Sequence, residues 1–137
     1  MYQNIMIPVD LAHRDSLEKA IDTGIDLAKL YGSNATLVGV TTSAPSSVAH
    51  NPAEFNQKLE EFAQELTEKS GIKVAAKTVI SNDPTIDLDS ALRKVAANLN
   101  IDLVVMASHI PGLVEYLFAS QAGYFASHAE ISVFVVR

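Results

Sequence analysis

The chain has 137 residues, of which 48% are hydrophobic, and it contains no cysteine. This length suits one domain with a sizeable core, and the lack of cysteine excludes a disulfide framework, a thiolate zinc site and a cysteine nucleophile. Sixteen acidic against ten basic side chains give a net charge of -6, which argues against a surface built for nucleic acid or anionic lipid.

The first residues, MYQNIMIPVD, carry no basic leader, and Pro8 and Asp10 interrupt their apolar run. We therefore expect neither a signal peptide nor a membrane-spanning helix, and we expect the protein in the cytoplasm.

Five short apolar runs predict β-strands, and most are continuous, as in strands that are buried on both faces. They cover residues 4–9, 35–41, 73–80, 101–107 and 131–136. Lysines in the third run predict an edge strand. The last run, apolar on both faces, is expected at the other edge.

Helical periodicity fills the gaps between these runs. A first stripe runs from Leu17 to Tyr31 and stops at Gly32, and a second runs from Phe55 to Leu66 and stops at Gly71. The second helix has a clear start signal in its capping side chain, first-turn proline and early acid: Asn51, Pro52 and Glu54. A third stripe follows Pro84, through Leu88, Ala91, Leu92, Val95 and Leu99, and a short fourth helix is predicted from Ser120 to His128.

This alternation predicts an α/β fold: a doubly wound five-stranded parallel sheet with helices on both faces, in a single domain over residues 1–137. Ligands of such sheets bind outside the carboxyl ends of the strands, where the winding reverses. The loops of interest are therefore 8–14, 40–50, 82–85 and 107–120. The turn-rich segment 41–54 is expected to be a mobile loop over the site.

Asp10 closes the first strand in the sequence IPVD. Its carboxylate could accept hydrogen bonds from ribose hydroxyls or an adenine amine, or hold a metal ion. Equally, an aspartate at a strand end can simply cap the next turn. Position alone leaves these alternatives open.

Several familiar site patterns are missing from the sequence. There is neither a glycine-rich dinucleotide fingerprint after the first strand nor a Walker loop. The histidines are scattered without metal-ligand spacing, so no metal site is predicted; they are His13, His50, His109 and His128. His109 could order its loop or touch a ligand. Neither Ser16 nor Ser120 lies in a histidine and acid pattern that marks an activated nucleophile, so hydrolase chemistry is not supported.

Ser120, Gln121 and Ala122 open the predicted fourth helix at the carboxyl edge of the sheet. A serine hydroxyl and unpaired backbone amides together suit an anion, although a plain N-cap has the same sequence.

Taken together, the chain resembles the universal stress protein family, in its branch of small single-domain bacterial members. The resemblance spans the whole chain: IMIPVD, the VGV strand, LVVMASH, the AS pair before the last helix and the closing SHAEISVFVVR. It implies a homodimer paired through strand 131–136 and a stress-response protein that binds ATP or AMP, with Mg²⁺ as a counter-ion. Two alternative hypotheses for the function are a nucleotide-free interaction module with an unknown protein partner, and a weak ATPase or self-phosphorylating protein.

The resemblance also implies the nucleotide contacts. They fall on Pro8, Val9, Asp10, Val40, Met106, Ala107, Ser108, His109, Ile110, Ala119, Ser120, Gln121 and Ala122. The family's loop has three glycines. Two residues separate the first from the second, nine separate the second from the third, and Ser or Thr follows the third. Here Ala107, Ile110 and Ala119 replace them, the long spacer is one residue shorter, and Ser120 is retained. A non-glycine residue forced left-handed costs roughly 1–2 kcal/mol, about tenfold in affinity. We therefore expect a remodelled phosphate cradle rather than an empty connection.

Overall fold

The computed structural model of the chain describes residues 1–82, 84–108 and 130–137, and for residues 84–89 it describes the backbone alone. In these ranges the strands are β1 (Asn4–Val9), β2 (Asn34–Thr41), β3 (Val74–Ile80), β4 (Leu103–Ala107) and β5 (Ser132–Val136). The helices are α1 (Glu18–Tyr31), α2 (Pro52–Ser70) and α3 (Pro84–Asn98). Each predicted strand is confirmed to within two residues of its bounds. The predicted helix at 120–128 lies outside the described residues.

The strands form one five-stranded sheet in the order β3-β2-β1-β4-β5, and all of its pairings are parallel. The predicted doubly wound fold is confirmed, with β3 and β5 at the two edges. The chain winds outward from β1 to β3 and then returns to β4 beside β1. The winding therefore reverses between β1 and β4.

The predicted ends of α1 and α2 are confirmed by their caps. Gly32 and Gly71 end these helices with φ of 64° and 79°, a left-handed conformation that glycine adopts without a steric penalty. At the start of α2, the Asn51 side chain accepts a hydrogen bond from the Glu54 amide at 2.8 Å. Ahead of α1, two short 3₁₀ turns, Leu11–His13 and Asp15–Leu17, replace a direct entry into the helix.

The core lies between the sheet and its helices. Its most deeply buried large side chains come from the three central strands, from the 3₁₀ turn before α1, and from α2 and α3: Ile5, Met6, Ile7, Leu17, Leu37, Leu59, Leu92, Met106, Val38 and Val104. Right-handed crossovers put α1 and α2 on the same face of the sheet and α3 on the opposite face, because the direction of winding reverses after β3. This packing fixes the carboxyl ends of β1, β2 and β4 side by side.

Candidate functional site

The candidate site is the carboxyl edge of the sheet where β1 meets β4. Pro8 and Val9 end β1 and are buried, and Asp10 follows them at the surface, half-buried. Ala107 ends β4 and is 6% exposed. Ser108 continues from it, with its amide donating to the Val136 carbonyl of β5 at 2.8 Å. The edge thus brings together the predicted contacts of loop 8–14 and those at the start of loop 107–120.

Asp10 uses both carboxylate oxygens within its own loop. Oδ1 accepts a hydrogen bond from the Ala12 amide at 2.9 Å, and Oδ2 lies 3.0 Å from Nδ1 of His13. The capping role considered from the sequence is therefore present. The side chain remains 24% exposed. A carboxylate has about four acceptor positions, so capping leaves room for a ligand.

His13 is a candidate site residue that the sequence analysis does not single out. No metal-ligand spacing links the histidines, so their pattern predicts no site. A different signal was available: Asp10 and His13 are three residues apart in a turn directly after a buried strand. One 3₁₀ turn brings such side chains to the same side.

Three of the predicted apolar contacts, those expected to face the adenine, lie at different depths. Val40, near the end of β2, is half-buried and accessible to a ligand. The side chains of Val9 and Met106 are 5% and 0% exposed. A ligand at this edge therefore meets Val9 and Met106 through the backbone, because their side chains belong to the core.

The segment 41–54 runs from the last residue of β2 into the first turn of α2, and hydrogen bonds hold it at several points. The Ser43 hydroxyl donates to Oδ1 of Asn82 at 2.9 Å, which joins this loop to the one after β3. Ser46 closes a turn through its amide, which donates to the Ala49 carbonyl at 2.8 Å, and Ala49 is buried. Lys58 of α2 donates to the Val48 carbonyl. The loop expected to be mobile has a defined hydrogen-bonded path.

Beyond Ser108 the remaining predicted site residues lie outside the described part of the chain: His109, Ile110, Ala119, Ser120, Gln121 and Ala122. Among residues 1–82, 84–108 and 130–137, there is no group of three or more metal-ligating side chains that could hold a metal ion. None of the helices in these ranges has the length and apolar character needed to cross a membrane.

A separate cavity of about 200 Å³ lies between α1 and α2. At its border the Arg14 guanidinium stacks 3.8 Å from the ring centroid of Phe62 and pairs with Glu65 at 2.8 Å. This contact fastens the loop after β1 to α2.

The chain matches the model of the universal stress protein family over residues 1–137. It is 27% identical over 145 residues to universal stress protein G of Escherichia coli O157:H7, with 100% of each chain covered.

Solved structures share the fold at lower identity. A universal stress protein in complex with cAMP has a TM-score of 0.69 at 17% identity, with 99% of this chain and 97% of that chain covered. The Archaeoglobus fulgidus protein in complex with dAMP has a TM-score of 0.63 at 16% identity, with 99% and 98% covered. An Arabidopsis thaliana family member with AMP bound has a TM-score of 0.60 at 16% identity, with 98% and 90% covered. From the family match over its whole length, and with this sheet and strand order, the chain belongs to the universal stress protein family.

Proposed function

We propose that this protein binds an adenine nucleotide at the carboxyl edge of β1, β2 and β4, as a regulatory ligand that it does not turn over. The observation that carries the proposal is the Asp10 carboxylate. It is oriented by two contacts, is 24% exposed, and stands where the winding of the sheet reverses. Structural neighbours in complex with cAMP, dAMP and AMP support the ligand class.

In this proposal the adenine lies against Val40 and the backbone beside Val9 and Met106, and the ribose lies against Asp10. The phosphates meet the amides of residues 120–122 outside the described ranges, at the opening of the helix predicted there. Amides at a helix start favour an anion. ATP would bring Mg²⁺ as its counter-ion, whereas AMP would not require it.

The three nucleotides named for the neighbours share the base, the furanose and the 5′ phosphate. They differ at the 2′ position, which lacks its hydroxyl in dAMP, and at the 3′ oxygen, which is esterified in cAMP. We therefore expect the base and the phosphate to provide most of the affinity, with the ribose hydroxyls contributing a smaller part.

Binding is tested by thermal shift and calorimetry with AMP, ATP and GMP. A ligand present at a hundred times its dissociation constant stabilises the fold by about 2.7 kcal/mol, so AMP or ATP should raise Tm and GMP should raise it less. An unchanged Tm at saturating AMP and at saturating ATP with Mg²⁺ would reject the proposal. A phosphate-release assay should show no turnover of ATP.

Two variants separate the halves of the proposed pocket. Asp10→Ala should weaken ATP and adenosine by a similar factor, because both carry the ribose. Ser120→Glu places a carboxylate where the amides would meet phosphate, so ATP should lose much more affinity than adenosine. Equal losses of ATP and adenosine in Ser120→Glu would show that the phosphates are bound elsewhere.

The second candidate is a nucleotide-free interaction module, in which the exposed edge of β5 would be the functional surface. Phe134 and Val135 of that strand are 45% and 40% exposed. We propose that this edge pairs two copies of the chain in the cytoplasm, and such pairing is compatible with either candidate. The thermal shift decides between them, because an interaction module should not respond to adenine nucleotides.

A further inference from the structure

The structure closes the loop after β1 with a contact between the imidazole of His13 and the carboxylate of Asp10. From this geometry we propose that His13 is a positioning residue for ribose: it holds Asp10 in the orientation in which the carboxylate accepts hydrogen bonds from the ribose hydroxyls of a bound nucleoside. This inference rests on the proposed function. It adds the His13 side chain, in the loop after β1, to the proposed nucleotide site.

The chemistry of the pair fixes its arrangement. A carboxylate only accepts hydrogen bonds, so the 3.0 Å contact between Asp10 Oδ2 and His13 Nδ1 requires the proton on Nδ1. Oδ1 is already occupied by the Ala12 amide at 2.9 Å. Each oxygen therefore has one protein donor and one acceptor position left. Two free acceptor positions on one carboxylate suit the two hydroxyl donors of a ribose.

Without His13, the carboxylate would have one anchor in place of two. Oδ2 would be free to move, because the side chain stands at the end of a strand and is 24% exposed. Ordering a free side chain on binding weakens affinity by up to about tenfold, and a group that is already held avoids much of that cost.

The backbone around His13 is held as well. The His13 amide donates to the Asp10 carbonyl at 3.0 Å. The next residue, Arg14, is stacked 3.8 Å over Phe62 and paired with Glu65 at 2.8 Å on α2. The imidazole is 31% exposed and is not part of the buried core. These contacts orient a half-exposed ring toward Asp10, which matches a positioning role better than a packing role.

The competing explanation is that His13 only closes the turn. In that case its removal would change stability without distinguishing a ligand that has ribose hydroxyls from one that lacks them. Adenosine and 2′,3′-dideoxyadenosine provide this comparison, because they share the base and the furanose ring and differ only in the two hydroxyls.

The test is calorimetry of both nucleosides with the wild-type protein, His13→Ala and His13→Asn. Asparagine places an amide nitrogen at the position of Nδ1 and can keep the contact with Asp10. We expect His13→Ala to weaken adenosine binding by about three- to tenfold, because the freed carboxylate must then be ordered when the ribose binds. Dideoxyadenosine should change by less than about twofold, and His13→Asn should restore most of the adenosine affinity.

Several outcomes would overturn the role of His13 while leaving the proposed function intact. In His13→Ala, the affinities for the two nucleosides could change equally or not at all, or adenosine could bind more tightly. In His13→Asn, the affinity for adenosine could fail to recover. If the wild-type protein binds neither these nucleosides nor AMP nor ATP with Mg²⁺, the proposed function and this inference both fail. Thermal melting confirms that each variant is folded. His13→Gln, whose amide lies one bond further out, replaces His13→Ala if that variant unfolds.

Discussion

Asp102 joins three strands at the amino edge of the sheet, opposite the candidate site. Its carboxylate accepts from the amides of Gln3 and Asn4 at 2.8 and 3.0 Å. Its own amide donates to the Asn4 carbonyl at 3.1 Å, and its carbonyl accepts from the Ser132 amide at 3.3 Å. One residue therefore fixes the starts of β1, β4 and β5 relative to each other.

Replacing this carboxylate should lower the free energy of unfolding. Asp102→Ala leaves two backbone donors without their acceptor and should cost about 1–3 kcal/mol, whereas Asp102→Asn keeps one acceptor and should cost less. Urea denaturation measures both. Asp26→Ala, at an exposed position of α1, is the control and should stay within about 0.5 kcal/mol of wild type. A loss in Asp102→Ala no larger than in the control would contradict this role.

Glu54 in the first turn of α2 reaches back to the residue before the N-cap. Its Oε2 accepts from the His50 amide at 3.2 Å and lies 3.0 Å from His50 Nδ1. The backbone hydrogen bond from His50, which has the largest effect, and the side-chain contact both lower the pKa of Glu54 below its ordinary value of 4.5. Because the folded pKa is lowered, the contribution of Glu54 to stability is complete above pH 4.5 and is lost as the pH falls through the folded pKa.

His50→Ala should raise the pKa of Glu54 only part of the way back to its ordinary value. The variant removes the imidazole contact but keeps the backbone amide, which is the larger cause of the shift. A carboxyl titration followed by NMR measures this directly. A Glu54 pKa that is unchanged in His50→Ala would show that the imidazole has no part in the shift.

At the scale of elements, α2 lies so close to β2 that one strand position must be glycine. A Cβ built on Gly39 would lie 2.9 Å from Cε1 of Phe55 and 3.1 Å from Cδ2 of Leu59. Both side chains are buried in the core and have little room to move. Gly39 also lies directly before Val40, so the packing of α2 sets the position of a candidate ligand contact.

Gly39→Ala should therefore destabilise the fold by about 1–3 kcal/mol, as overpacking of a filled core does. Phe55→Leu makes space at the same point. The double variant should therefore lose less free energy of unfolding than the sum of the losses in the two single variants. A double-mutant cycle in urea measures this difference. Strict additivity of the two changes would mean that Gly39 and Phe55 do not press on each other.

The elements themselves were well predicted because their signals are local. Gly32 and Gly71 mark helix ends, and Asn51 with Pro52 marks a helix start, through the chemistry of a few neighbouring residues. The edge position of β3 followed from Lys73 and Lys77 in an otherwise apolar run. In each case the residue type and the structural requirement lie within one turn or one strand.

The site was predicted less completely because its contacts depend on tertiary geometry. Nothing local indicates that Arg14 would stack on Phe62, which is far along the chain and on another helix. The burial of Met106 depends on both neighbours of β4 and on the packed helices, so the sequence could place it at the edge but not determine its depth. The contact between Asp10 and His13 is local, but metal-ligand spacing of the histidines does not detect it, because it joins one histidine to one acid.

At the scale of the whole molecule, the two edges of the sheet differ in character. β3 carries Lys77 among its exposed residues, a charge that discourages strand pairing. β5 pairs only with β4 among the described strands, and it leaves Phe134 and Val135 exposed on an apolar edge. Of the two, β5 is the better template for a second chain, and a twofold contact between identical edges is the commonest closed arrangement.

We therefore expect the protein to be a dimer at micromolar concentrations and Phe134→Lys to shift it toward monomer. A lysine at this position places like charges close to the twofold axis, where both copies would carry one. Light scattering after size-exclusion chromatography measures the mass. Leu30→Lys is the matched control, because Leu30 is a large apolar residue that is 73% exposed at the end of α1, away from the β5 edge. It should leave the mass of the dimer unchanged. A monomeric wild-type protein, or a dimer that both lysine variants affect equally, would exclude β5 as the interface.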